Sequence, residues 1–388
     1  MLARRFQGLG ASVFSEMDDL RRELETQGRS LINLSIGSPD RAPAEQIRAA
    51  LSEAVLNGKA YGYTLTKGTL AFRQSCANWY KQRFDVDLDP ELEVLPLMGS
   101  QDGLAHIFQV YIDPGDTALI PDPGYPIYTA GLLLAGGVKV PMPLTAERGF
   151  LPDLAAIPPE VARLAKVMFL NYPNNPTAAV APLEFFEEVV AFAREYEILV
   201  CHDAAYSELA YEGYRPVSFL QARGAKEVGI EFHSLSKTFN LAGLRLGFVV
   251  GQAAAVKALT VLKSNIDYGV FGPALQVGQI ALAGLEPEVA ENRLAYQRRR
   301  DILVKGCAAA GWDIPYPKGS MFVWAPVPTG QDSLTFAVDL ARRAGVIVVP
   351  GVAFGERGEG YVRIGLVQED EVMQEAVTRI QAFLGSQG

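Results

Sequence analysis

Several side chains in this sequence could do chemistry together if the fold gathers them. Lys237 stands in "HSLSKTFNLAGLRLGFVVG" (233–251), with Ser234 and Ser236 just before it, Arg245 beyond it and strand-like apolar runs on either side. Burying an ammonium in such a place is costly unless something pairs it. Asp203 ends the apolar run "ILVCHD" (198–203), and Tyr206 follows. Asn175 lies in "YPNNPT" (172–177) and Tyr125 in "PGYPIY" (123–128). In "MGSQDG" (98–103), Ser100 and Gln101 open a helix-like stretch, where free N–H groups and the helix dipole favour an anion such as phosphate.

Taken singly, each has a plainer reading as a helix cap, a turn, a packed ring or a capping acid. Jointly they share one property: each follows the end of an apolar run, and open α/β sheets bind ligands beyond the carboxyl ends of their strands. A lysine able to form a Schiff base and a carboxylate beside a pyridine nitrogen are the groups pyridoxal phosphate requires. Attachment would also relieve the buried ammonium, and a displaced Lys237 with a lowered pKa could act as a general base. Two competing signatures are weaker. "SLSK" (234–237) fits the S-x-x-K of serine β-lactamases, but neither S-D-N nor K-T-G follows. "CHD" (201–203) has no partner histidine at ligand spacing, and adjacent strand residues face opposite ways, so no metal is expected and His202 reads as structural.

The elements that must position these groups follow from periodicity. Apolar runs at 92–97, 117–122, 137–142, 166–171, 198–203, 228–234 and 244–251 alternate with amphipathic stretches such as "SQDGLAHIFQVY" and "PLEFFEEVVAFAREYE". That alternation predicts an α/β fold: a large domain whose mostly parallel mixed sheet is sandwiched by helices, plus a smaller α+β domain from the two chain ends. The link from Lys237 to the run at 244–251 is too short for a crossover helix, so one antiparallel strand is expected there. Beyond 285 a long charged helix pattern is followed by short strands in "MFVWAPV", "VIVVPG" and "YVRIGLV". The boundaries read as 45–285 for the large domain and 1–44 with 286–388 for the small one. With 388 residues, 49% hydrophobic and 20% charged, the chain is globular rather than disordered or fibrous. Its net charge of −9 argues against nucleic acid as a partner. Three widely spaced cysteines, no apolar leader and no run of about 20 apolar residues predict a soluble cytoplasmic protein with no membrane partner.

With "LSIGSPD", "YPNNPT", "HDAAY", "SLSKTFNLAGLRLGFVVG" and "GYVRIGL" in view, the chain resembles the fold type I pyridoxal phosphate enzymes, and within them the class I/II aminotransferases, over nearly its whole length. The resemblance implies pyridoxal 5'-phosphate as cofactor and Lys237 as the Schiff-base and proton-transfer residue. It implies Asp203 as partner of the pyridine nitrogen and Asn175 with Tyr206 as donors to the phenolic oxygen. Tyr125 would be the ring stacked on the cofactor, and Ser100, Gln101, Ser234, Ser236 and Arg245 would lie around its phosphate. Arg363 in "GYVRIGL" resembles the arginine that clamps a substrate α-carboxylate, and Gly37 the loop that closes over it. Tyr63 in "YGYTLTKG" resembles a tyrosine lent to the neighbouring subunit, implying a homodimer with shared sites. "LEVLPLMGSQDGLAH", "KSNIDYGVF" and "YQRRRDILVKG" are similar to the LL-diaminopimelate and alanine aminotransferase-like branch. The implied activity is transamination between an L-amino acid, such as LL-diaminopimelate, aspartate or alanine, and a 2-oxo acid such as 2-oxoglutarate. A carbon–sulfur β-lyase on the same scaffold and a non-catalytic amino-acid sensor are the alternatives.

Overall fold

The structure is a computed structural model that describes residues 3–7, 9, 13–284, 286–328 and 330–386. Residues 1–2, 8, 10–12, 329 and 387–388 of the expected small domain and residue 285 of the expected large one lie outside the described residues. The strands in chain order are β1 (Ile32–Asn33), β2 (Val94–Leu97), β3 (Thr117–Asp122), β4 (Val138–Pro143), β5 (Ala165–Asn171), β6 (Leu199–Asp203), β7 (Gly229–Ser234), β8 (Gly247–Gly251), β9 (Phe322–Pro326), β10 (Val346–Ile347), β11 (Val349–Pro350) and β12 (Tyr361–Gly365).

Seven of them form the central sheet in the order β2-β8-β7-β6-β5-β3-β4. All its pairings are parallel except those of β8, which runs antiparallel to both β2 and β7. The expected reversed strand is therefore present. It starts later than its apolar run suggests, at Gly247 rather than Leu244, because Arg245 adopts a left-handed backbone with φ +54° that interrupts the extended chain. The sheet is buried on both faces, as its near-continuous apolar runs require. Along β5, Val167 and Phe169 join one core with Phe108, Leu104 and Phe232, while Met168 and Leu170 join another with Phe186, Val200 and Phe219. The period of two along the strand divides the cores. Helices Ser100–Tyr111 and Leu183–Tyr196 cover the two faces.

A second group of elements combines both chain ends. β11, β12 and β9 form a small antiparallel sheet, and β1 pairs in parallel with β10. "VIVVPG" is thus divided: Val346–Ile347 serves one sheet, Val349–Pro350 the other, and Val348 lies between. Helix Val13–Thr26 contributes Met17, Leu20 and Leu24 to a core shared with Trp312, Phe336 and Ile380. Ala205, Tyr206, Leu209 and Tyr211, just after β6, belong to this core too, so it is anchored beside the C-terminal edge of the large sheet. No helix among the described residues is long and apolar enough to cross a membrane.

Candidate active site

Beyond the C-terminal ends of the parallel strands lies a cavity of about 570 Å³. The parallel strands β5, β6 and β7 end in Asn171, Asp203 and Ser234, all of which line it. β6 ends at Asp203, which is 4% exposed. Its Oδ2 accepts from the Tyr128 hydroxyl at 2.7 Å and its Oδ1 from the Ala205 N–H at 3.2 Å. The Asn171 amide, closing β5, donates to the Asp203 carbonyl at 2.7 Å. Burial pushes the Asp203 carboxyl up, opposed by the Tyr128 hydrogen bond. Tyr206 is buried, which raises its phenol well above the usual range.

After β7, Ser234 caps the short turn Leu235–Thr238 by accepting from Ser236 N–H at 3.2 Å, and this turn carries Lys237. The Lys237 ammonium donates to the Gly37 carbonyl at 2.5 Å, so the N-terminal loop reaches across the cavity. Burial, reinforced by the charges of Arg363 and Arg245, lowers the Lys237 pKa to about 8. Arg363, on β12, donates to Asn175 Oδ1 at 2.9 Å and to the Ser35 carbonyl at 2.8 Å. Its guanidinium lies 4.1 Å from the Phe322 ring centroid, and its Nε is buried without a partner. Burial lowers its pKa to about 10, so it stays charged at neutral pH.

At the other end, the turn after β2 carries Ser100 and Gln101, and the Tyr125 hydroxyl donates to Gln101 Oε1 at 3.2 Å. Gly99, at φ +77°, lets Arg245 pack against this turn, since a Cβ there would stand 2.5 Å from the guanidinium. A Cβ on Gly247 would likewise stand 2.7 Å from the Ser100 nitrogen. The absence of side chains at both positions leaves a cradle around an amide group and an arginine.

Of the expected residues, Gly37, Ser100, Gln101, Tyr125, Asn175, Asp203, Tyr206, Ser234, Ser236, Lys237, Arg245 and Arg363 all line this cavity. Tyr63 does not: it is 88% exposed and packs edge-on against Tyr268 with ring centroids 5.3 Å apart. Sequence reasoning missed Tyr128 and Asn171. Asn171 carried a usable signal, a polar residue closing an apolar run as Asp203 does; Tyr128 carried none beyond lying one helical turn after Tyr125. Among the described lining residues, three cations, Lys237, Arg245 and Arg363, face one carboxylate, Asp203. That surplus, the unpartnered Arg363 Nε and the glycine cradle fit an anionic, phosphorylated pyridine cofactor and a substrate carboxylate.

The profile of the family "Aminotransferase class I and II" matches residues 29–380. The chain is 51% identical to an LL-diaminopimelate aminotransferase of Moorella thermoacetica over 383 residues, covering 99% of this chain and 98% of that one. Among solved structures, a probable N-succinyldiaminopimelate aminotransferase of Thermus thermophilus superposes with a TM-score of 0.91 at 40% identity, covering 96% of this chain and 100% of that one. A Thermus thermophilus aspartate aminotransferase mutant superposes with a TM-score of 0.92 at 30% identity, covering 99% of each chain.

Proposed function

The chain belongs to the class I and II aminotransferases, and from that premise we propose a substrate and a set of residue roles for it. It is a pyridoxal 5'-phosphate-dependent transaminase of amino acid metabolism, acting on small molecules. The donor we assign is LL-diaminopimelate, with 2-oxoglutarate as acceptor and the reaction serving amino acid biosynthesis. The support is the name carried by the Moorella relative at half-identity along the whole chain. The lyase and sensor readings gain no support from the relatives.

The observation that carries the residue roles is the three-cation cavity with Lys237 at its centre. When bound, pyridoxal phosphate supplies a carbonyl carbon that takes up amino groups and a ring that accepts the electrons of a broken Cα–H bond. Lys237, with its pKa near 8, has an appreciable neutral fraction at neutral pH; it would hold the cofactor and take up or release a proton at Nζ. Asp203, fixed by Tyr128, keeps the ring nitrogen protonated. Arg363 offers its fork to the substrate α-carboxylate, held in place by Asn175 and Ser35. Aligning that carboxylate orients the Cα–H bond toward Lys237, an effect worth several orders of magnitude in rate in well-aligned systems. Asn175 and Tyr206 would hold the cofactor's phenolic oxygen, and Tyr125 would lie against its ring. Ser100, Gln101, Ser234, Ser236 and Arg245 hold the phosphate, while Gly37 brings the N-terminal loop over the carboxylate and excludes water.

We further assign a large domain at 45–285 and a small one from 1–44 and 286–388, supported by a core built from both chain ends that takes only Ala205, Tyr206, Leu209 and Tyr211 from the large domain. A cytoplasmic homodimer is also part of this reading. Its support is an apolar patch joining Tyr61, Tyr63 and Leu65 to Ile266, Tyr268 and Phe271, all at least 45% exposed. Tyr63 would then serve the site of the second subunit. The three cysteines are free and buried, in keeping with a reducing compartment.

The test is an absorbance titration of purified protein with pyridoxal phosphate, followed by single amino acids. LL-diaminopimelate should convert the cofactor to its aminated form faster than aspartate or alanine does. Indifference to LL-diaminopimelate with a response to another donor would overturn the substrate while leaving the reaction class intact. Sedimentation at micromolar concentration should give twice the chain mass.

A further inference from the structure

A second buried charge cluster lies behind the turn that carries Ser100 and Gln101. Lys263, on helix Ala253–Ser264, is 1% exposed. Its ammonium donates to both Asp102 Oδ2 and Asp267 Oδ2. Asp102 Oδ2 also accepts from the Met98 N–H at 2.9 Å, and its Oδ1 lies 2.7 Å from His106 Nδ1. Asp102, His106 and Asp267 stand close enough together to ligate a metal ion, but the Lys263 ammonium bridges the two carboxylates and supplies the cation itself. Burial pushes the Asp102 carboxyl up, yet His106 and Lys263 outweigh it and hold the pKa at about 2.

The contacts form a continuous series from a helix that lines no part of the cavity to the groups that do. Lys263 holds Asp102, Asp102 holds the Met98 amide, and Met98 begins the turn whose next residue, Gly99, receives the Arg245 guanidinium. Without the ammonium, two buried carboxylates would face each other, and repulsion together with desolvation would drive Asp102 off the Met98 N–H. The turn would then present Ser100, Gln101 and Arg245 to an anion less well.

We propose that Lys263 is a positioning residue for the anion-binding turn Met98–Gln101, setting its affinity for the cofactor phosphate without touching it. The inference rests on the reading that this turn holds the phosphate. A purely structural lysine would affect every ligand alike, whereas this one should affect only ligands that carry a phosphate.

The experiment compares apoprotein and Lys263→Met by equilibrium absorbance titration with pyridoxal phosphate and, separately, with pyridoxal. The expected result is a dissociation constant for pyridoxal phosphate raised about tenfold, with that for pyridoxal changed by less than about twofold. Lys263→Arg, which keeps the charge, should recover much of the loss. Should Lys263→Met not fold, Asp267→Asn, which loosens the far anchor of the ammonium, gives the same comparison. Equal loss for both ligands, or no loss for either, overturns the inference and leaves the cofactor assignment standing. Failure of the unchanged protein to bind pyridoxal phosphate overturns both.

Discussion

Two charge clusters start from neighbouring residues of the same two strands and come to opposite ends. On β6 and β7, Asp203 and Ser234 face the cavity, while His202 and His233, one residue earlier, take part in a cluster around Glu231. Glu231 accepts from the Tyr80 hydroxyl at 2.6 Å, the Ser218 hydroxyl at 2.8 Å and the Phe219 N–H at 2.8 Å, and lies 2.8 Å from His202 Nδ1 and 3.0 Å from His233 Nε2. Those donors outweigh burial and keep its carboxyl well below the usual range. Its charge is answered within the protein. In the cavity, by contrast, Lys237, Arg245 and Arg363 outnumber Asp203, so the charges do not balance within the protein. A buried charge that the fold satisfies contributes architecture; one that it leaves unsatisfied is answered by a ligand.

Four measurements would sharpen or break that contrast. The largest effect is expected for Lys237→Ala, which should lower transamination by about 10⁴-fold or more while leaving the circular dichroism of the apoprotein unchanged. Activity within tenfold of the original would remove Lys237 from the chemistry. Next, Glu231→Ala should cost about 3–5 kcal/mol of unfolding free energy in urea, because it strands two histidines and two hydroxyls in the core. A loss under about 1 kcal/mol would show that the cluster does not depend on its acid.

Arg363→Lys keeps the charge but not the fork, and should raise KM for the amino donor about 100-fold with little change in urea stability. A matching loss of stability would mean that the arginine belongs with the structural cluster. The smallest effect concerns pH. The Lys237 pKa of about 8 lies below the ordinary 10.5 of a free lysine, so between these values the unfolded chain binds a proton that the native apoprotein has lost. Stability from this group therefore rises with pH across that window and is lowest below it. Lys237→Met should remove this slope and stabilise the apoprotein at pH 7 by on the order of 1 kcal/mol. An unchanged slope between pH 8 and 10.5 would mean that the lysine is not desolvated.

Ser100, Gln101, Tyr125, Asn175, Asp203, Tyr206 and Lys237 were legible because each follows the end of an apolar run, and strand ends are local features, whereas Arg363, in the middle of β12, came only through the resemblance. Lys237, Asp203 and Asn175 needed only that rule to be placed on one edge. Tyr63 lay outside that rule: the resemblance assigns it to a neighbouring subunit's site, and in its own chain it lies in a surface patch away from the cavity. The division of "VIVVPG" between two sheets was equally hidden, because the partner of β10 is β1, more than 300 residues away.

Side-chain period and the short link after Lys237 are written in neighbouring residues, so pattern alone sufficed for the strands of the large sheet, the reversal of one of them and most of the groups at the sheet edge. Packing alone could bring Arg363 to Asn175, 188 positions apart, or Lys263 to Asp102, 161 positions apart. The same holds for the pKa of Lys237. Desolvation and Coulomb energy depend on distances through space, and a linear pattern of residues does not contain them until the chain has folded.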